Sequence, residues 1–147
     1  MEKEQFNLQE KSFLQNGIPE ITNKKDFFEV GKDKIEALKK SINEIHEMVR
    51  GRENLSKGII SEGESLKNEI EGYLKENEKV QIGGADITKE KNDLRHKKIE
   101  VSELQLNEKI SCWKDIALLK KELREYEREL NEKEERIKTL NKLMEEN

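Results

Sequence analysis

Few side chains in this chain could carry chemistry, and their spacing argues against catalysis. The two histidines, His46 and His96, are fifty residues apart, and Cys112 is the sole thiol. A zinc site would need carboxylates or a second chain to complete four ligands, so no metal is expected. Cys112 beside Trp113 reads as a small buried hydrophobe rather than a nucleophile, and His46 reads as a residue flanking a helix contact. No glycine-rich phosphate loop, paired-cysteine motif or His-Glu-x-x-His arrangement occurs. Gly83-Gly84 lacks the preceding strand and following lysine of a phosphate cradle. The run Lys89, Lys91, Arg95, Lys97 and Lys98 is broken by Glu90 and Asp93 and has no interleaved aromatics, which suits a solvated face better than a nucleic-acid track. The expectation is a non-enzymatic protein without cofactor, for which nucleic acid is an unfavoured partner.

The elements that would position these residues are long polar helices. Of the 147 residues 42% are charged, 32% are hydrophobic, 5% are aromatic, and the only proline is Pro19. Such a chain cannot fill a large core, yet its apolar residues recur with a helical period and its net charge is only −4, which favours solvent-washed helices over disorder. Charges of both signs alternate, so no field of one polarity steers a ligand toward the whole chain. The longest apolar runs, such as Ile116-Ala117-Leu118-Leu119, are far shorter than the roughly twenty residues of a membrane span. With a lone cysteine and no apolar leader after Met1, an intracellular protein, cytoplasmic or nuclear, is expected.

Residues 1–32 read as an arm. It holds all four phenylalanines, Phe6, Phe13, Phe27 and Phe28, around the turn signal Asn16-Gly17-Ile18-Pro19. Phe27 and Phe28 are candidates for docking into a partner's groove. From Ile35 a heptad frame sets in over residues 33–82. Ile35, Ile42, Val49, Ser56, Gly63 and Ile70 take position a, while Leu38, Ile45, Arg52, Ile59, Leu66, Tyr73 and Val80 take position d, a column that continues to Ile87, Leu94 and Val101. A second frame, displaced by four residues, places Ile116, Leu123, Leu130, Ile137 and Met144 at a and Leu119, Tyr126, Lys133 and Leu140 at d. A four-residue displacement is a stutter, expected near 102–115, where Ile99, Leu106, Ile110, Trp113 and Ala117 present a face broader than two strands can bury. A third element is expected to pack there. The apolar members of both frames, with Arg52, are the candidate partner-binding residues.

Gly51, Gly58 and Gly72 fall at the outward c position, each costing about 1 kcal/mol relative to alanine. Gly63 and Ser56 at a leave room for a bulky residue from another helix, which favours a heteromeric partner. Gly83-Gly84, in a joint over 83–86, can end one helix while Asp86 caps the next, spanning 87–147. Against a turn, the d column passes through the joint without a slip. The fold is therefore all-α, either an elongated coiled coil or a helical hairpin.

Arg52 is the one charge in an apolar d column, and a guanidinium there either snorkels outward or finds acceptors on another helix and fixes its register. With Leu38, Ile42, Ile45 and Val49 before it and Ile59, Leu66, Ile70 and Tyr73 after it, the pattern resembles the R-type SNARE motif over roughly a third of the chain. That resemblance implies a tethering or membrane-traffic helix using Arg52 as a polar layer. The sequence departs from the motif at Ser56 and in continuing through a further long helix. The leading expectation is a coiled-coil scaffold subunit that associates with itself or with partner helices, in a cytoskeletal, kinetochore, centrosomal or transport-type assembly.

Overall fold

A computed structural model describes residues 24–80 and 87–146. They form two α-helices and no strand: α1 is Lys24–Val80, 57 residues, and α2 is Thr88–Glu145, 58 residues. Both are rich in Glu and Lys, which lose little rotamer freedom in a helix, and neither contains proline. In α2, Glu90 in the first turn and Lys142 in the last complement the helix dipole.

The helices pack against each other as an antiparallel hairpin. Arg52 meets Asp115, Gly63 meets Gln105 and Glu71 meets Lys98, so partners descend along α2 as α1 ascends. The continuous-rod alternative is thereby removed, although the glycine joint lies outside the described residues. Helix α1 begins at Lys24, so Phe27 and Phe28 sit on it rather than on a separate arm. The rest of that arm, including Phe6 and Phe13, lies outside the described residues.

The chain divides into two compact units. In the unit spanning Lys39–Glu129, the positions of α1 turned toward α2 are 42, 45, 49, 52 and 56, as the heptad frame requires, and then 60, 63, 67, 70, 74 and 77. The steps run 3-4-3 up to Arg52 and then 4-4 through Ser56 to Ile60. The expected d residues Ile59, Leu66 and Tyr73 are therefore exposed, and Ile60, Lys67 and Leu74, each one residue later, take the seam. The facing positions of α2 are 94, 98, 101, 105, 108, 112, 116, 119, 123 and 126, which step 4-4 at 108, 112 and 116. Both helices change frame at one level, because Cys112 Sγ lies 4.0 Å from the carbonyl oxygen of Arg52.

The two changes explain the small residues there. At about 100° per residue, Arg52 and Ile60 flank Ser56 by about 40° on either side, so Ser56 points straight at the opposite helix, and Cys112 does the same from α2. A side chain aimed along the line between axes has little depth available, and serine and cysteine fit. Both are buried, Ser56 with only 5% of its surface exposed. Seam residues such as Ile45 and Ile70 are also buried, but much of the apolar contact is only half-buried. Full burial of such a side chain contributes roughly 1.5–3 kcal/mol, so the seam is thin.

In the second unit, built from the residues up to Leu38 and those from Leu130, Leu38 is buried and Ile35, Leu130, Ile137 and Leu140 are half-buried. Gly31 lies against Ile137, where an added Cβ would sit 3.3 Å from Ile137 Cδ1.

Gly63 has a comparable role in the longer unit. A Cβ there would lie 2.6 Å from Gln105 Nε2 and 3.0 Å from its Cγ and Cδ, so the room expected for a partner's residue is occupied by Gln105 of the same chain. Gly51, Gly58 and Gly72 would meet nothing. In urea titrations at low protein concentration, Gly58→Ala is expected to stabilise by about 0.5–1 kcal/mol. Gly63→Ala is expected to destabilise by about 1 kcal/mol, because overpacking displaces Gln105 by more than the helix gains.

Candidate functional site: a polar layer at the frame change

The sequence folds Arg52 into the seam because its neighbours one turn before and after it, the apolar Val49 and the small Ser56, face α2. Its guanidinium spans the gap as a fork: NH1 donates to Glu108 Oε1 at 2.5 Å and Nε donates to Asp115 Oδ2 at 2.8 Å. The Arg52 and Glu108 side chains are each 17% exposed and Asp115 is 50% exposed, so the contact to Glu108 is the sheltered one. The two carboxylates, Glu108 first and Asp115 second, push the Arg52 pKa upward and keep its charge fixed. Arg52 neither snorkels into solvent nor waits for a partner chain, since its acceptors come from α2.

Four further polar contacts follow along the same unit. Gln105, 7% exposed, donates from Nε2 to the Ile60 carbonyl at 2.9 Å and to Glu64 Oε1 at 3.2 Å. Glu64 also pairs with Lys67 at 2.8 Å, and Lys67 first, then Gln105, hold its carboxyl below the ordinary glutamate value of 4.5. Glu71 pairs with Lys98, which lowers its carboxyl in the same direction. Among the described residues every buried side-chain nitrogen and oxygen has a hydrogen-bond partner. This arrangement can hold two helices at one register. It contains no nucleophile paired with a base and no open electrophilic site.

The candidate partner-binding residues separate into two sets. Ile35, Leu38, Ile42, Ile45, Val49, Arg52 and Ile70 on α1, and Ile116, Leu119, Leu123, Tyr126, Leu130, Ile137 and Leu140 on α2, are buried or half-buried between the helices of their own unit. Ile59, Leu66 and Tyr73 are exposed, as are Met48 and Leu55, which the heptad frame did not mark. Val80 is helical, and its side chain lies outside the described ones. Phe27 is exposed and Phe28 half-buried, their rings edge-to-face at 6.2 Å. Phe27, Val30 and Lys34 with Arg136, Ile137 and Leu140 line an open groove of about 690 Å³ in the second unit. The broad face expected around Trp113 is uncovered: Trp113 is 71% exposed, and Ile99, Leu106 and Ile110 are exposed with it. No third element among the described residues packs there.

Cys112 is free and buried, and His46 and His96 are exposed. Among the described residues no cluster of three or more His, Cys, Asp or Glu is arranged to hold a metal, and no helix is long and apolar enough to cross a membrane. No family model, curated protein or solved structure matches the chain.

Gln105, Glu108 and Asp115 were not singled out by sequence reasoning. The signal available was their spacing, since Glu108 and Asp115 lie about one turn to either side of Cys112 and supply the acceptors an arginine layer needs, while Gln105 lies two turns before it. Removing Arg52 strands the sheltered Glu108, so Arg52→Ala should lower the thermal midpoint more than Asp115→Ala, whose carboxylate is half in water, as read by circular dichroism. Because Glu64 and Glu71 titrate below their unfolded value, the unfolded state binds more protons in that window. Stability should be full above about pH 4.5 and fall as pH drops through the lowered values, and Glu71→Gln should flatten this fall in midpoints measured from pH 7 to pH 3.

Proposed function

We propose that the protein is a non-enzymatic coiled-coil scaffold subunit that acts inside the cell, holding other helices against the outer faces of a hairpin whose register its polar layer fixes. The observation that carries this reading is the exposure of regularly spaced large apolar side chains on both helices. Trp113 with Leu106 and Ile110 marks one face, and Leu66 with Ile59 and Tyr73 marks the other. Single exposed apolar residues are common on protein surfaces, but contiguous patches at helical spacing mark association surfaces. Covering them removes apolar area from water at about 25 cal/mol per Å², and neighbouring charges select the partner. The Arg52 layer does not favour a traffic-type partner helix, because Glu108 and Asp115 already complete it.

The reading is tested by affinity isolation from cells producing the tagged chain, beside a variant carrying Leu66→Asp and Trp113→Asp at surface positions. Circular dichroism of both chains checks that the hairpin is retained. Recovery of associated proteins, including untagged copies of the chain, should fall at least about tenfold in the variant, as expected from losing the burial of two large side chains. Recovery of the same proteins at undiminished yield by the folded variant, or of none by the parent chain, would overturn it.

A further inference from the structure

The two exposed faces of the Lys39–Glu129 unit differ in charge and match in spacing. On α1, Leu55, Ile59, Leu66 and Tyr73 lie about 60–100° to one side of the seam. The outer edge of that band carries Glu62, Glu69 and Glu76, all exposed. From Glu44 to Glu76 the band contains no lysine or arginine. On α2, Leu106, Ile110 and Trp113 lie about 100–160° from the seam in the other rotational sense. Their band continues into the exposed Lys114, Lys121, Arg124 and Arg128, with Arg95 at its start and Glu103 as its only acid. In an antiparallel pair, residues displaced in the same sense share a side. These are displaced in opposite senses, so the acidic and basic faces lie on opposite sides of the hairpin.

The apolar spacing is the same on both faces. Met48, Leu55, Ile59 and Leu66 step 7-4-7, and Ile99, Leu106, Ile110 and Ala117 step 7-4-7. Matching the two runs in the same direction brings Glu44 level with Arg95 and Tyr73 level with Arg124, an ion pair and a cation–π contact. Gly51 lies at the outer edge of the acidic band and Gly58 just beyond it, where a Cβ would meet nothing in the chain, so nothing intramolecular requires glycine there. The missing side chains allow a second helix to approach the backbone closely.

We infer that the occupant of the acidic α1 face is the basic α2 face of a second copy of this chain. The contact joins two different surfaces, and the two surfaces point away from each other. One pair of copies therefore cannot satisfy both, and copies add head to tail into open chains. This inference rests on the scaffold reading and adds the identity of a partner and the polarity of assembly.

Sedimentation equilibrium on the purified full chain tests it with two surface variants, Ile59→Lys with Leu66→Lys on α1 and Ile110→Glu with Trp113→Glu on α2, each checked for helicity. The parent chain should grow in average mass with concentration, each variant alone should remain a single copy, and their equimolar mixture should double in mass and stop there. Self-association of either folded variant to the parent's extent would overturn the inference, as would a mixture that stays at single-copy mass. The parent also gives a test free of substitution: its average mass should fall from low to high salt as the facing charges are screened, and a salt-independent mass would overturn the inference. A parent chain that stays monomeric at every concentration, yet loses other bound proteins when Leu66 and Trp113 are replaced, would sink the second-copy assignment while leaving the scaffold reading standing.

Discussion

The constraint on which the longer unit depends is that both helices change frame at the same level. A straight α-helix turns about 100° per residue, so a seam built on alternating steps of three and four drifts slowly off its contact line. A doubled step of four corrects the drift on one helix, but it aims a side chain directly at the neighbour. If α1 alone made that step, Ser56 would face an ordinary layer of large residues. Instead α2 makes its own step at Cys112, beside the Arg52 carbonyl, and two small residues share the centre of the contact. The side chains one turn away must then reach around this centre. Arg52 and Glu108 do so, and their hydrogen bonds satisfy groups that burial would otherwise leave stranded.

The frame change also decides which surfaces remain free. Below Ser56 the seam uses the heptad frame that starts at Ile35. Above it, the contact line moves one residue on, so Ile60 and Lys67 turn inward while Ile59 and Leu66 turn out. Lys67 can hold a seam position because Glu64 draws its ammonium to the edge at 2.8 Å, while the aliphatic stem lies along the contact. A row of large apolar side chains is thereby displaced to the surface, next to an acidic edge. The same geometry on α2 leaves Trp113 outside although its neighbour Cys112 is buried. Local steps in the seam and the character of the outer faces are thus one phenomenon.

Much of this was legible in the residues. Helicity follows from the lack of proline after Pro19 and from the sustained period. The change of frame before Ile116 follows from the four-residue displacement of the later apolar set. Its counterpart on α1 was hidden because Ile59 and Ile60 are both isoleucine, and the spacing of apolar residues cannot say which of two adjacent ones faces inward. Leu66 beside Lys67 misleads further, since hydrophobicity alone places the leucine inside. The acceptors of Arg52 could not be read because a heptad frame locates a residue on its own helix and carries no information on which level of another helix it meets. That information enters only with the antiparallel pairing, whose joint lies in a stretch where glycine permits a turn and the apolar frame suggests none.

A seam of this kind would be ambiguous if it were purely apolar. Sliding α2 past α1 by one heptad returns leucines and isoleucines to equivalent layers, and the thin burial seen here gives little preference between the two positions. The non-repeating residues remove that freedom. Gln105 fits only where α1 lacks a Cβ, and seven residues to either side of Gly63 lie Ser56 and Ile70, each of which brings a side chain into the space the amide needs. Arg52 meets Glu108 and Asp115, one heptad apart, so a slip that brings Val101 and Glu108 to it leaves one contact, while the opposite slip, which brings Asp115 and Glu122 to it, moves Gln105 off Gly63. Polar residues that contribute modestly to stability can therefore still determine alignment, because the apolar layers score nearly alike in every heptad-related register and the polar ones do not.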